Sequence, residues 1–193
     1  MCKFSLFIAI TVIAIGCKSN ILIIEGQVPD KYNSQTIFLV PRPYPEPSKV
    51  DSTKIINGRF KFRAMASSVH MCDITISRKA NARIEKLLVA IEPGKLHVKM
   101  DTVSCAYGTP LNDDLQKWKE AMNISGRKAL WVTQKSQRQE IYDDFGKTTF
   151  EFVKRNVNPM GGYIFMMMEP LFDSVQITEL KSIGIEKWNP INN

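Results

Sequence analysis

Val50-Asp51-Ser52-Thr53-Lys54-Ile55-Ile56-Asn57-Gly58-Arg59-Phe60-Lys61-Phe62-Arg63 is the stretch that decides the fold class. Asn-Gly between two such runs is the strongest short hairpin signal, because both turn residues accept the positive φ that matches the twist of paired strands. Side chains alternate along a strand, so Phe60 and Phe62 share one face while Arg59, Lys61 and Arg63 share the other. One side of this hairpin is core, and the other meets water.

Working outward, the same period of two recurs. Ile21 to Val28 reads as an opening strand with Gly26 inside it, and Gln35 to Val40 as a second. Cys72, Ile74 and Ile76 alternate with Asp73, Thr75 and Ser77, and Leu96, Val98 and Met100 with His97 and Lys99. The run from Lys86 to Ile91 is continuously apolar after its first residue, as expected of a strand buried on both faces, and Glu92-Pro93-Gly94-Lys95 turns the chain into the next. About seven short strands without a helical period among them predict an antiparallel, sandwich-like domain over residues 21–110. Within it, proline at every second position from Pro41 to Pro47 predicts an extended, unpaired loop.

The pattern changes at Gly108-Thr109-Pro110-Leu111-Asn112-Asp113-Asp114. Asn112 reads as an N-cap, and Asp113 and Asp114 fall where a helix dipole favours carboxylates. Leu115, Trp118 and Met122 follow at helical spacing. A longer amphipathic pattern runs from about Thr133 to Arg155 through Ile141, Phe145, Phe152 and Val153, and ends at Asn156-Val157-Asn158-Pro159. Gly161 to Met168 and Ser174 to Ile183 predict two shorter helices. The expected fold class is α+β: a β-sandwich-like domain followed by a helical C-terminal segment over residues 111–193.

The amino terminus predicts an address. After Met1-Cys2-Lys3, twelve residues from Phe4 to Ile15 are apolar except Ser5 and Thr11, and Lys18-Ser19-Asn20 stops the run short of the roughly 20 residues a membrane span requires. Residues 1–16 therefore read as a signal peptide. Ala14-Ile15-Gly16-Cys17 resembles the lipobox of bacterial lipoproteins, which implies cleavage before Cys17 and lipid on its thiol. Residues 17–20 then form a lipidated tether, with the lipid bilayer as a partner. Lys18-Ser19-Asn20 lacks the acidic run that accompanies surface export, so the expected location is the cell envelope, on the periplasmic side.

The chain has 193 residues and a net charge of +7, with 44% hydrophobic and 23% charged residues, a balance that excludes wholesale disorder. Its basic residues are scattered, without an aromatic-interleaved basic motif, which argues against a nucleic-acid partner. With Cys2 lost and Cys17 lipidated, Cys72 and Cys105 remain as the pair available for a disulfide. Both lie in apolar strand-like runs, where a small buried residue is the default reading. No C-x-x-C spacing supports thiol-disulfide chemistry by this chain.

Ile24-Glu25-Gly26-Gln27-Val28, Val50-Asp51-Ser52, Asn57-Gly58-Arg59-Phe60-Lys61-Phe62, Ile91-Glu92-Pro93-Gly94 and Tyr107-Gly108-Thr109-Pro110-Leu111-Asn112-Asp113, in that order, resemble the DUF4369 family. That family is the β-rich N-terminal domain of many lipoproteins of Bacteroides-like bacteria, commonly ahead of a thioredoxin-like, AhpC/TSA-type thiol-disulfide oxidoreductase domain. The resemblance covers about residues 21–120, and the following helical stretch looks like the connector of those longer proteins. Asn193 falls where the oxidoreductase domain would begin, so the resemblance implies an accessory domain without the thioredoxin-like part.

Residue by residue, chemistry is sparse. Of the two histidines, His70 pairs in sequence with Cys72 on one strand face, and with His97 these are the best nucleus for a metal-dependent or hydrolytic envelope enzyme. No nucleophile elbow or phosphate-cradling loop accompanies them. Asp113/Asp114 and Asp143/Asp144 diverge around a helix, and Met166-Met167-Met168 point in different directions, which is packing rather than a copper site. The sequence thus predicts no enzyme, no cofactor and no metal. Its best binding candidate is the Pro41–Pro47 loop carrying Arg42 and Tyr44, since stiff extended backbone loses little entropy on docking. The expectation is a membrane-tethered binding or scaffolding domain for an envelope protein partner, accessory to a thiol-disulfide oxidoreductase system.

Overall fold

The computed structural model describes residues 20–76 and 86–188. The expected signal peptide, lipobox and Cys17 therefore lie outside the described residues. Eight strands come first: β1 (Ile21–Gln27), β2 (Thr36–Pro41), β3 (Asp51–Lys54), β4 (Arg59–Met65), β5 (His70–Thr75), β6 (Leu87–Ile91), β7 (Gly94–Lys99) and β8 (Cys105–Tyr107). Four helices follow: α1 (Pro110–Trp131), α2 (Lys135–Arg155), α3 (Pro159–Met168) and α4 (Ser174–Ser182), with short 3-10 turns between them. The first sheet runs β4-β1-β7-β8 and the second β3-β2-β5-β6. All pairs are antiparallel except β1 with β7. The fold is α+β, a sandwich-like domain followed by helices.

The Asn57-Gly58 turn forms as its sequence dictates, with φ of 50° and 67°. Ile56 and Arg59 exchange both backbone hydrogen bonds across it, at 2.9 and 3.0 Å. The arms then part company, β3 joining the second sheet and β4 the first. Ile55 is the cause. Its side chain is buried in the inter-sheet core, and its backbone stays with the second sheet through Ile55 N–H to Gln35 O and Ser34 N–H to Ile55 O, both 2.9 Å. The expected hairpin is thus a corner between layers.

Two cores share the second sheet. Between the sheets lie Leu22, Ile24, Ile37, Phe60, Phe62, Cys72, Ile74, Val89, Leu96 and Val98. On the second sheet's outer face, Met71 and Ala90 pack against Leu115, Trp118, Phe152, Ile164 and Leu180 from the helices. The alternating reading of β5 is corrected: Asp73 and Thr75, on the face that alternation gives to water, are buried beneath the loop that carries Pro45 and Pro47. The double burial expected of β6 holds for four of its five residues.

Helix α1 also starts differently from expectation. Thr109 occupies the N-cap, and Pro110 takes the first turn, where its missing N–H is harmless. Asn112 lies one turn in and is buried; its amide donates to Ala90 O at 2.8 Å and accepts from Ala90 N–H at 2.9 Å. Glu92 Oε1 accepts from Leu111 N–H at 2.7 Å and from Asn112 N–H at 3.3 Å, so the carboxylate of the β6–β7 turn caps the helix. Asp113 accepts from Gly108 N–H, and Asp114 pairs with Arg155 at 2.9 Å, tying α1 to α2. Met166 and Met168 pack partly against the helical core, as expected of them, whereas Met167 is exposed. Among the described residues no helix is long and apolar enough to cross a membrane.

Candidate binding groove

The proline loop departs from the unpaired stretch expected. Pro41 still pairs with Cys72 at the end of β2, and Arg42 N–H donates to Met71 O at 2.9 Å, so the hydrogen bonding runs one residue beyond the strand. The Arg42–Pro43 peptide is cis, and Pro47 opens a 3-10 turn ending at Lys49. Arg42 is held by charge. Its Nε lies 2.7 Å from Asp73 Oδ2, without the linear N–H direction of a hydrogen bond. Burial pushes the Asp73 carboxyl above the usual carboxylate range, while Arg42 and the more distant Lys86 pull it partly back.

An open groove of about 1140 Å³ runs between this loop, the start of β5 and the helical layer. Tyr44, 62% exposed, stands on one wall with Arg42 and Pro43. The far side carries Tyr163 from α3 and Trp188 from the last 3-10 turn. Burial raises the Tyr163 hydroxyl's pKa, so it stays protonated and remains a donor. Trp188 reaches this position because α3 carries Gly162: a Cβ there would fall 2.3 Å from the Trp188 carbonyl oxygen. A smaller hollow of about 230 Å³ lies beneath the loop, where Arg42 and Asp73 meet Pro45, Pro47 and Lys86. The walls offer aromatic faces, proline and the Arg42 cation anchored on buried Asp73, the equipment of a groove for an extended polypeptide segment.

The structure brings Arg42, Tyr44 and His70 to one groove, with His70 Nδ1 3.1 Å from Ser68 O. It separates the other residues singled out in the sequence. Cys72 is sealed in the inter-sheet core, where burial pushes its thiol up to about 12, well away from the thiolate that nucleophilic or metal chemistry needs. His97 projects from the first sheet against the Tyr107 ring, their centroids 5.8 Å apart. His70, Cys72 and His97 therefore do not converge, and among the described residues no group of three metal-ligating side chains forms. Cys72 and Cys105 are free and sit on strands of different sheets, so the pair available for a disulfide is unbridged.

Tyr163, Trp188 and the Asp73 counter-ion escape a reading of the sequence. The only signal for Asp73 is a carboxylate set between Cys72 and Ile74 in an apolar strand, and nothing local aims Tyr163 or Trp188 at the loop. No curated protein and no solved structure matches the chain. The sandwich and the first turns of α1, residues 22–115, match the family model of DUF4369, a domain of unknown function, so this part of the chain is a DUF4369 domain.

Proposed function

We propose that this protein is a membrane-tethered, non-catalytic binding or scaffolding domain of the cell envelope. Lipid on Cys17 holds it on the periplasmic side, where it serves a protein partner within a thiol-disulfide oxidoreductase system. The observation that carries the binding role is the groove of Arg42, Tyr44, Tyr163 and Trp188, whose guanidinium is already positioned by Asp73. A preset cation and stiff proline backbone lose little freedom when a segment docks, so modest contact area suffices. The lipid half of the proposal rests on the amino-terminal sequence.

Two measurements test the two halves separately. Mass spectrometry of membrane-recovered protein should find a diacylglyceryl group on Cys17, and an unmodified amino terminus refutes the anchor. A photo-crosslinker at Tyr44 should capture one envelope protein in intact cells, and Trp188→Ala should weaken that capture while leaving the fold intact. Crosslinking insensitive to the groove variant refutes the binding site.

A further inference from the structure

The outer face of the first sheet, opposite the helical layer, is left to solvent, and its side chains follow the register. Arg59, Gln27 and Lys99 form one row; Lys61, Glu25, His97 and Tyr107 the next; Arg63, Ile23 and Lys95 the third; Met65 and Ile21 the last. Five cations thus share a face with a single carboxylate. Glu25 is itself occupied, contacting Lys61 at 3.1 Å and Lys95 at 2.8 Å, and those ammonium groups hold its pKa below the usual range. A trough of about 620 Å³ follows this face past Arg59, Lys61, His97 and Tyr107.

The charge distribution of the whole chain sharpens the contrast. From Asp113 to Lys187 eleven acidic side chains balance eleven basic ones, so the excess of positive charge lies before α1, and the five cations and one carboxylate of this face supply +4 of it. The molecule is polarised, with a neutral helical layer behind and a cationic sheet in front. The row where the chain enters β1 is apolar: Met65 is 68% exposed, Ile21 is half-buried, and Asn20 O accepts from Ala66 N–H at 2.9 Å.

The geometry points to this face as the surface that lies on the membrane, with an anionic lipid bilayer as its occupant. The inference rests on the lipid anchor proposed above. From Cys17 to Ile21 the chain spans at most about 14 Å, less than the length of β1, so an anchored sandwich is held against the lipid surface. The Met65–Ile21 row then sits at the interfacial depth that apolar side chains favour. The rows behind it set Arg63, Lys95, Lys61, Arg59 and Lys99 against headgroup phosphates within a screening length of the surface. In this orientation the helical layer and the Arg42–Trp188 groove face away from the bilayer, open to a partner.

Amine-reactive labelling of the full lipidated chain on vesicles tests the proposal. On vesicles of phosphatidylcholine with one third phosphatidylglycerol, labelling of Lys61, Lys95 and Lys99 should fall at least fivefold relative to phosphatidylcholine alone. Lys135 and Lys147, on α2, should be unchanged, and half-molar salt should abolish the difference. Arg59→Gln with Arg63→Gln, which leaves the lysine probes in place, should restore most of the labelling. Full retention on both vesicle types with equal labelling of all five lysines overturns the face while leaving the anchor. Retention only on the anionic vesicles, with the same lysines protected, overturns the anchor and keeps the face.

Discussion

The Phe60 ring lies directly over Gly26, its cross-strand partner in the β1–β4 ladder, so closely that a Cβ on Gly26 would fall 1.9 Å from a ring carbon. An aromatic ring laid over a strand glycine covers the backbone that glycine leaves bare, and here the same ring stacks edge-on against Phe62, 5.9 Å away. Gly26 is therefore required by packing rather than by backbone conformation. Gly26→Ala should destabilise the domain by about 1–3 kcal/mol through overpacking, measured as a lower urea midpoint. Phe60→Leu should absorb much of that loss, and a double-mutant cycle should read a coupling between the two sites.

Asn112 should prove to be a sheet residue in helical position. Strand β6 is an edge of the second sheet, and an edge exposes unpaired N–H and C=O groups. The Asn112 amide pairs with both groups of Ala90, and Lys119 Nζ donates to Leu88 O at 3.1 Å, so α1 closes that edge with side chains. Asn112→Ala orphans two backbone groups at once and should cost about 2–4 kcal/mol. Hydrogen exchange at the Ala90 amide should accelerate more than at Val89. An unchanged Ala90 rate would show that water replaces the amide at no cost.

These two contacts mark how far the sequence is legible. Alternation and turn chemistry are local, so Phe60 and Phe62 facing inward, the Asn57-Gly58 turn, the doubly buried run before Glu92 and the change to helices after Gly108 can all be read from neighbours in the chain, whereas the exact N-cap of α1 cannot. The corner at Ile55 is not local. Which sheet each arm joins depends on where a buried isoleucine finds its cavity, and a two-residue turn fits either outcome. Asn112 and Glu92 carry the right chemistry for capping and turning, and only the packing of α1 on β6 assigns them to each other. The groove is half legible for the same reason: Pro41 to Pro47 advertises a stiff loop with Arg42 and Tyr44, whereas Tyr163 and Trp188 arrive from helices more than a hundred residues later.

Arg42→Ala should expose the cost of burying Asp73. The carboxyl is sealed under the proline loop while its guanidinium partner is about a third exposed, so the pair is worth less than a fully buried one. We expect a loss of about 1–3 kcal/mol at neutral pH, with Tyr44 and the loop around it becoming more mobile. The pH dependence has a definite sign. Asp73 holds its proton in the native state at pH values where the unfolded chain has released it, so stability falls as pH rises from the ordinary carboxylate range through the raised native value. Removing Arg42 takes away the attraction that limits the shift and should extend that falling limb to higher pH, read as the variant-minus-parent difference in urea midpoint between pH 4 and 7. Asp73→Asn in the Arg42→Ala background should abolish the limb.

Lys119 should give the opposite slope at the other end of the scale. Its ammonium lies along α1 above the β6 edge, and burial brings its pKa down to about 8, with the neighbouring Glu120 and Cys105 opposing the shift weakly. Between that value and the ordinary one the native state has released a proton that the unfolded chain still holds, so the native form gains stability as pH rises through this window. Neutral Lys119 keeps an N–H for Leu88 O, so the hydrogen bond survives the loss of charge. Lys119→Met retains the apolar stem and removes the donor. The parent protein should therefore gain on the Lys119→Met variant between pH 8 and 10, visible as a widening gap in urea midpoints. Lys117→Met, exposed on the same helix, is the control for a lysine-to-methionine change on the surface of α1. Parallel stability curves for the parent and Lys119→Met would mean that the amine is hydrated in place and that the β6 edge is closed by Asn112 alone.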